Sequence, residues 1–267
     1  MNTVTIIIVI YKTDKKKLKL VLNKIHNDIP IIFVINSHNY NFDDLQISQK
    51  YTLLNCKNEG NGAAINLALK EVKTKFSIYM DIDIFFEENF FNQIIDIANK
   101  ISDFAILVPN HGNINSDNDI VEKYDGESAV MFFNMSKLDK IGYFDENFFL
   151  YYEEADLLSR CRHVNEKVYF LPKIKIEHFR ATSIIDETNM LQNLRSWHYM
   201  WSMFYFYKKN FYYLYAIKKT YKLLFYDVVK LMLYIVCFNS KSIKSRYYRI
   251  WGLISSMVLK KSFLRPN

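Results

Sequence analysis

Phe76-Ser77-Ile78-Tyr79-Met80-Asp81-Ile82-Asp83-Ile84-Phe85-Phe86 is an uncharged run that meets two carboxylates and then returns to apolar sequence. Acids at i and i+2 inside so apolar a frame repel each other and lose hydration unless a cation sits beside them. A hard divalent ion is the natural partner. Mg²⁺ or Mn²⁺ takes one or two carboxylates and fills its remaining positions with water and phosphate oxygens. Two helix-capping acids at the end of a strand are the competing explanation, and the triplet alone leaves both open.

Outward from this stretch, strands alternate with helices. Thr5 to Ile10 is a β-branched strand followed by Tyr11-Lys12-Thr13-Asp14, after which Leu18, Val21, Leu22 and Ile25 recur at helical spacing. Further strands are expected at 31–35, 51–54, 76–80, 104–108, 129–133, 167–171 and 173–177, and helices at 63–72, 90–101 and 153–164. That order predicts an α/β fold with a mainly parallel central sheet covered by helices on both faces. Ligands of such sheets bind beyond the carboxyl ends of the strands. Tyr11, Asn36, Asn58, Asp81 and Asp83 stand there and take the functional weight.

The chain has 267 residues, with 35 Lys+Arg against 28 Asp+Glu and half its residues apolar, which excludes disorder and a disulfide-stapled miniprotein. Charge divides it unevenly. Residues 190–267 hold 14 Lys+Arg and a single acid, Asp227, and 20 of the 44 aromatic residues; residues 1–189 carry 21 basic and 27 acidic groups. The expected organisation is therefore an α/β domain over 1–189 and a helical, basic, aromatic extension over 190–267. Cys56, Cys161 and Cys237 are widely spaced and odd in number, so they read as thiols of a reducing compartment. The N-terminal run reads as a buried first strand and not as a secretory signal, which places the protein in the cytoplasm.

A second acidic group, Tyr151-Tyr152-Glu153-Glu154-Ala155-Asp156, opens a helix whose buried stripe is expected at Leu157, Leu158 and Cys161. The helix dipole favours acids in a first turn, and Asp156 with Arg160 is spaced as a surface ion pair. Three acids in four residues nonetheless exceed what a cap needs, so one is a candidate general base. His178 follows a strand and precedes Arg180; an imidazole there can bind metal or donate to phosphate, as the guanidinium can. Structural duty is the alternative for a lone His. Gly60-Asn61-Gly62-Ala63-Ala64 misses the dinucleotide fingerprint spacing and reads as a tight loop whose amides approach an anionic ligand at a helix N-terminus. His111 receives no role.

With these positions in order, the chain resembles the family 2 glycosyltransferases of the GT-A fold, particularly bacterial ones that decorate surface polysaccharides. The resemblance spans Thr5 to Ser183. Ile8-Val9-Ile10-Tyr11 is similar to the family's opening strand with its base-contacting Tyr, and Asn58-Glu59-Gly60-Asn61-Gly62-Ala63-Ala64-Ile65-Asn66 to its Asn-x-Gly-x-Gly-x-x-x-Asn loop. Asp81-Ile82-Asp83 falls at its metal-binding Asp-x-Asp. Gly142-Tyr143-Phe144-Asp145-Glu146-Asn147-Phe148-Phe149-Leu150-Tyr151-Tyr152-Glu153-Glu154-Ala155-Asp156-Leu157 is similar to the run in which the acid after the first Glu is the catalytic base. The resemblance implies Glu154 as base with Asp156 in reserve, a metal held by Asp83, Asp81 and His178, and donor contacts from Tyr11, Asn36, Asn58, Gly62, Asn66, Asp81 and Arg180. It further implies inverting transfer of a sugar from a nucleoside-diphosphate donor to a glycan or lipid-linked acceptor. Two departures stand out: Ile35-Asn36-Ser37 lacks the acid that ends the family's second strand, and Glu154 stands where Asp is usual. A nucleotidyltransferase and a catalytically silent scaffold of the same fold remain the alternatives.

In the extension, Trp197, Met200, Trp201 and Phe204 recur at helical spacing among lysines, and the apolar window Leu223 to Phe238 is too short to span a bilayer. Basic helices with aromatic faces suit an anionic membrane surface, so peripheral attachment to the inner face of the plasma membrane is expected, with a solvated helical add-on as the alternative. Lysines interleaved with aromatics also suit single-stranded nucleic acid, but no nucleic-acid motif accompanies them and the acidic front half repels phosphate, so nucleic acid is not expected as a partner.

Overall fold

The computed structural model describes residues 3–36, 40–42, 45–101, 103–112, 116–126, 129–179 and 189–266. In chain order the elements are β1 (Val4–Ile10), α1 (Lys15–Leu22), β2 (Ile31–Ile35), β3 (Tyr51–Asn55), α2 (Asn61–Leu69), β4 (Phe76–Met80), β5 (Ile84–Phe85) and α3 (Phe90–Lys100). They continue as β6 (Ile106–Asn110), β7 (Val121–Glu122), β8 (Val130–Asn134), α4 (Met135–Ile141), α5 (Glu153–His163), β9 (Val168–Lys175) and β10 (Glu177–His178). Three long helices close the chain: α6 (Asn189–Asn210), α7 (Tyr213–Val236) and α8 (Ser240–Met257). The chain divides into two compact units, one of residues 1–58, 63–144 and 157–186, the other of 59–62, 145–156 and 187–267.

The first unit is built on an eight-stranded sheet of order β3-β2-β1-β4-β8-β6-β9-β7. β3, β2, β1 and β4 run parallel, β8 is antiparallel to both its neighbours, and β9 lies parallel to β6. β1 shows why the centre of the sheet needs cover on both sides. Its side chains alternate faces, and both sets are apolar. Ile6, Ile8 and Ile10 pack in a layer with Leu18, Val21 and Leu22 of α1 and Phe90, Phe91 and Ile94 of α3. Ile7 joins the other layer with Ala64, Ile65 and Ala68 of α2, Leu138 of α4, and Leu157, Leu158 and Cys161 of α5. The edges differ: β3 exposes Tyr51 and Leu53, and β7 is only two residues long.

The expected mainly parallel α/β architecture is therefore present, with local differences, among them the unexpected two-residue edge strand β7. The two strands expected at 167–171 and 173–177 run together through Lys175 as β9: the chain stays extended across Pro172 although that residue has no amide to donate, and it shifts register against β6 only at Asn110. The helix α4 was not expected; seven residues are too few to display a helical period. Nor was the small antiparallel pair β5–β10, whose members are two residues each.

The second unit is helical. Trp197, Met200, Trp201 and Phe204 of α6 are buried, and Met200 and Phe204 share a cluster with Ala216 of α7 and Leu253 of α8. This aromatic stripe is thus core, and not the membrane-facing surface its periodicity suggested. Gly252 lets α8 cross α6 at backbone contact, since a Cβ there would collide with the Trp197 carbonyl. His198 donates from Nε2 to the Leu264 carbonyl at 2.8 Å, which ties the C-terminal segment onto α6; burial pushes its pKa down to about 3, so it stays neutral.

Acids of the 145–156 segment meet the end of α6. Lys209 Nζ lies 2.7 Å from Asp145 and 2.8 Å from Asp156, and Asn210 donates to Asp156 at 3.0 Å. Burial alone pushes the Asp145 carboxyl up, but Lys209 and the Asn147 amide outweigh it and hold it below the usual carboxylate range. Asp156 is fully buried, which corrects the expectation of a surface ion pair with Arg160. Replacing Lys209 with Met strands a buried carboxylate and is expected to destabilise the protein by about 2–4 kcal/mol, tempered by the water Lys209 still meets. Lys208→Met next to it should change stability by less than about 1 kcal/mol. Urea denaturation of the two variants compares them directly.

Candidate metal centre and donor edge

Because β1 to β4 are parallel, their carboxyl ends share one edge of the sheet. Ile10 of β1 is level with Ile35 of β2, and Ile35 with Asn55 of β3, so Tyr11, Asn36 and the chain leading to Asn58 leave from the same side as Asp81. Asn36 is buried; its backbone N–H donates to the Ile10 carbonyl at 2.8 Å and its Oδ1 accepts from the Cys56 thiol at 3.1 Å. The Tyr11 N–H donates to Thr13 Oγ1 at 3.1 Å, and Lys12 takes a left-handed φ of 45°, which turns the chain away from the strand. Tyr11 and Asn58 are half-buried.

The acids extend β4. Asp81 N–H donates to the Ala129 carbonyl at 2.8 Å, carrying the pairing with β8 one residue past the strand. Asp83 is buried, with 5% of its side chain accessible, whereas Asp81 keeps 36%. The β5–β10 ribbon then delivers the histidine: His178 pairs with Ile84, and Phe179 N–H donates to the Asp83 carbonyl at 2.8 Å. His178 Nε2 lies 3.1 Å from Asp83 Oδ1 and 3.7 Å from Asp81 Oδ2. Each of the three residues offers a ligand atom within 4.8 Å of the other two. Two carboxylate oxygens and an imidazole nitrogen are a donor set that fits a divalent ion with positions left for water or phosphate.

Asp81 feels the crowding most. Burial pushes its carboxyl pKa up to about 6; the Tyr79 hydroxyl, donating to Oδ1 at 2.5 Å, opposes this, Asp83 adds to it and His178 subtracts. His111 is a further imidazole at this site, its ring centroid 6.2 Å from that of His178. Asn110 fixes its loop, donating to the Pro172 carbonyl and accepting from the Gly112 amide, each at 3.0 Å. Nothing in the sequence around His111 signalled this; tertiary pairing of β6 with β9 brought it there. An apolar cavity of about 350 Å³ backs Asp83, lined by Lys17, Lys24, Ile82, Phe85, Phe86 and Phe179 among others. Arg180 lies outside the described residues.

Asn66 is buried and both ends of its amide are engaged by the backbone of Phe144, each bond 2.9 Å, so its observed duty is to brace α2 against that loop. Arg160 braces the same loop, donating to the carbonyls of Ile141, Gly142 and Tyr143.

In the second unit, the Gly-rich loop packs on the acidic segment. Gly60 adopts φ 119°, and a Cβ on it would stand 2.5 Å from the Phe149 carbonyl oxygen. Asn61 N–H donates to that carbonyl at 3.0 Å, so this amide serves the fold, and its side chain donates to Glu153 Oε1 at 3.4 Å. Gly62 is buried. Tyr151 and Tyr152 both have left-handed φ, 68° and 69°, which bulky residues rarely adopt. Surrounding contacts hold them: Ser202 donates to the Leu150 carbonyl at 2.9 Å, and the rings meet Tyr199 and Phe206. Strain of this kind clusters where a side chain is aimed for use. The first turn of α5 comes directly after these two tyrosines, with Glu153 and Asp156 buried and Glu154 half-exposed.

A carboxyl whose folded pKa is raised costs stability once it ionises. The cost of Asp81 is absent below its unfolded pKa of 3.8 and complete above about 6. Without metal, Asp81→Asn is therefore expected to raise the melting temperature relative to the parent at pH 8 and to leave it unchanged at pH 3.5, with solvent access to Asp81 keeping the gain modest. Added Mn²⁺ should reverse the order at pH 8 by stabilising the parent more than the variant. Calorimetric scans at the two pH values read both effects.

No family model matches the sequence, and no curated protein matches it. Solved structures do. The mannosyltransferase PcManGT from Pyrobaculum calidifontis, in complex with GDP-Man and Mn²⁺, is similar with a TM-score of 0.58 at 10% identity, over 97% of this chain and 88% of that one. S. aureus TarS 1-349 is similar with a TM-score of 0.54 at 10% identity, over 98% of this chain and 93% of that one. GalNAc-T7 with UDP, GalNAc and Mn²⁺ gives 0.55 at 11% identity over 73% of this chain, which spans about half, 48%, of the GalNAc-T7 chain. These neighbours are glycosyltransferases of the GT-A fold, and at such identities the likeness is one of architecture: the chain has the GT-A fold.

Proposed function

We propose that the protein is a metal-dependent glycosyltransferase that moves a sugar from a nucleoside-diphosphate donor to a hydroxyl of a glycan or lipid-linked acceptor, with inversion at the anomeric carbon. The observation that carries this reading is the Asp81, Asp83 and His178 group, set at the carboxyl edge of parallel strands in a GT-A fold. Two of the structural neighbours, PcManGT and GalNAc-T7, hold a nucleotide or nucleotide sugar together with Mn²⁺, which supports the same chemistry here. The finer assignment, to the family 2 enzymes of bacterial surface polysaccharides and to hexosyl or deoxyhexosyl transfer, rests on the sequence motifs, and the place at the inner face of the plasma membrane on the basic, aromatic composition of residues 190–267.

In this reading Asp83, Asp81 and His178 would hold Mg²⁺ or Mn²⁺, and Tyr11, Asn36 and Asn58 would line the nucleoside end of the donor. Arg180, Gly62 and Asn66 complete the set proposed from the motifs, Asn66 by bracing α2. A divalent ion bound there would neutralise charge on the departing diphosphate. The acceptor hydroxyl must lose a proton as its oxygen bonds to the anomeric carbon and the bond to the diphosphate oxygen breaks. We assign that proton to Glu154. It is half-exposed, whereas the reserve candidate Asp156 is buried against Lys209 and Asn210.

Thermal shift over a panel of nucleotide sugars with Mn²⁺ is expected to single out a donor that raises the melting temperature. Asp83→Asn should abolish that shift, while Glu154→Gln should keep it and lower turnover by about 10²- to 10⁴-fold. Absence of any Mn²⁺-dependent shift or donor hydrolysis would reject the enzymatic reading in favour of a silent scaffold. Equal turnover in parent and Glu154→Gln would reject the base.

A further inference from the structure

The outer face of α7 is apolar where a solvated helix would be polar. Leu214, Tyr221, Phe225, Val229, Met232 and Val236 are 73, 50, 71, 38, 62 and 75% exposed. At 100° per residue they fall within an arc of about 80° and form a row about 33 Å long. Ala216, Thr220 and Asp227, all fully buried, occupy the opposite side of the helix. Phe238, just past the helix end, is 91% exposed. A contiguous apolar surface of this length facing water marks an interaction site.

Charge identifies the occupant. Asp227 is the only acid in residues 190–267, and it is buried between Arg246 and Arg249, the latter 2.9 Å away. Residues 190–267 therefore put no carboxylate side chain on the surface around the row. Lys218 stands on the same arc in its N-terminal half and Lys222 about 20° past its edge, and both are exposed. The half from Phe225 to Val236 carries no cation on that arc. A second copy of the chain would bring like charge against like. A nucleic acid would find no phosphate partner along the second half. A bilayer with anionic headgroups accepts both halves, the lysines at its headgroups and the aliphatic row among its acyl chains. Among the described residues no helix is long and apolar enough to cross a membrane, so the helix would lie in the interface.

We propose that α7 is an interfacial anchor: it lies along an anionic bilayer with Phe225, Val229, Met232 and Val236 inserted and Lys218 and Lys222 at the headgroups. This deepens the peripheral location proposed for the enzyme and is independent of the donor chemistry.

Flotation of the full chain with phosphatidylcholine vesicles containing about one third phosphatidylglycerol tests it. The protein is expected to float with these vesicles, to remain behind with pure phosphatidylcholine, and to be released by high salt. Phe225→Ser with Met232→Ser removes two exposed side chains, leaves the melting curve unchanged, and should weaken partitioning at least about tenfold. Lys218→Glu with Lys222→Glu should weaken it by about tenfold or more. A fluorophore on Cys237, which is exposed at the end of the helix, should shift to the blue on binding in a Cys56→Ser background. If the parent floats and the serine variant floats equally, the anchor is elsewhere and the α7 assignment fails while peripheral location survives. If the parent stays in solution, both fail. Sedimentation that shows a dimer dissolved by the serine variant, or oligonucleotide binding in place of flotation, would also overturn the proposal.

Discussion

Everything about the candidate centre depends on having two carboxylates, Asp81 and Asp83, where an apolar strand ends. Asp83 is nearly sealed from water and Asp81 is pushed toward its protonated form, so without a positive partner the pair strains against its own burial. A fold optimised only for stability would replace one of them. The chain instead spends a separate ribbon, β5 with β10, on bringing His178 to the pair across 95 residues of sequence. This charge arrangement, backed by the ribbon, is the physical ground for reading the three residues as a group that could hold a cation.

The helical unit treats its acids in the opposite way. Asp145 and Asp156 are answered by Lys209, and Asp227 by two arginines, so each carboxylate there is compensated inside the fold. The consequence appears outside. With its own acid internalised, the 190–267 segment shows lysines and apolar side chains to its surroundings, and the aromatic residues divide between a buried set on α6 and an exposed set on α7. Composition counts both sets alike. Burial separates them.

Backbone geometry sharpens the acidic segment. The consecutive left-handed residues Tyr151 and Tyr152 are held by ring contacts with Tyr199 and Phe206, and Gly60 is required because its α-carbon lies against the Phe149 backbone. The Gly-Asn-Gly sequence therefore has a packing reason beside the ligand-binding one inferred from its spacing. Asn66, whose motif position suggested donor contact, is likewise engaged by the Phe144 backbone.

What the sequence by itself determined is the α/β alternation, the strand ends that carry polar residues, the Asp-Ile-Asp triplet and the acid-rich start of α5. These are local properties: periodicity, β-branching and helix-end charge are written within a dozen residues. Only the tertiary structure decided that His178 joins Asp81 and Asp83, that His111 stands beside it, that Asp156 is a buried ion-pair partner, and that the Trp197 stripe is core while α7 faces outward. The physical reason is range. A two-residue ribbon has no period to detect, and an amphipathic helix rich in aromatics on every side announces that it has faces without saying which one its neighbours will cover.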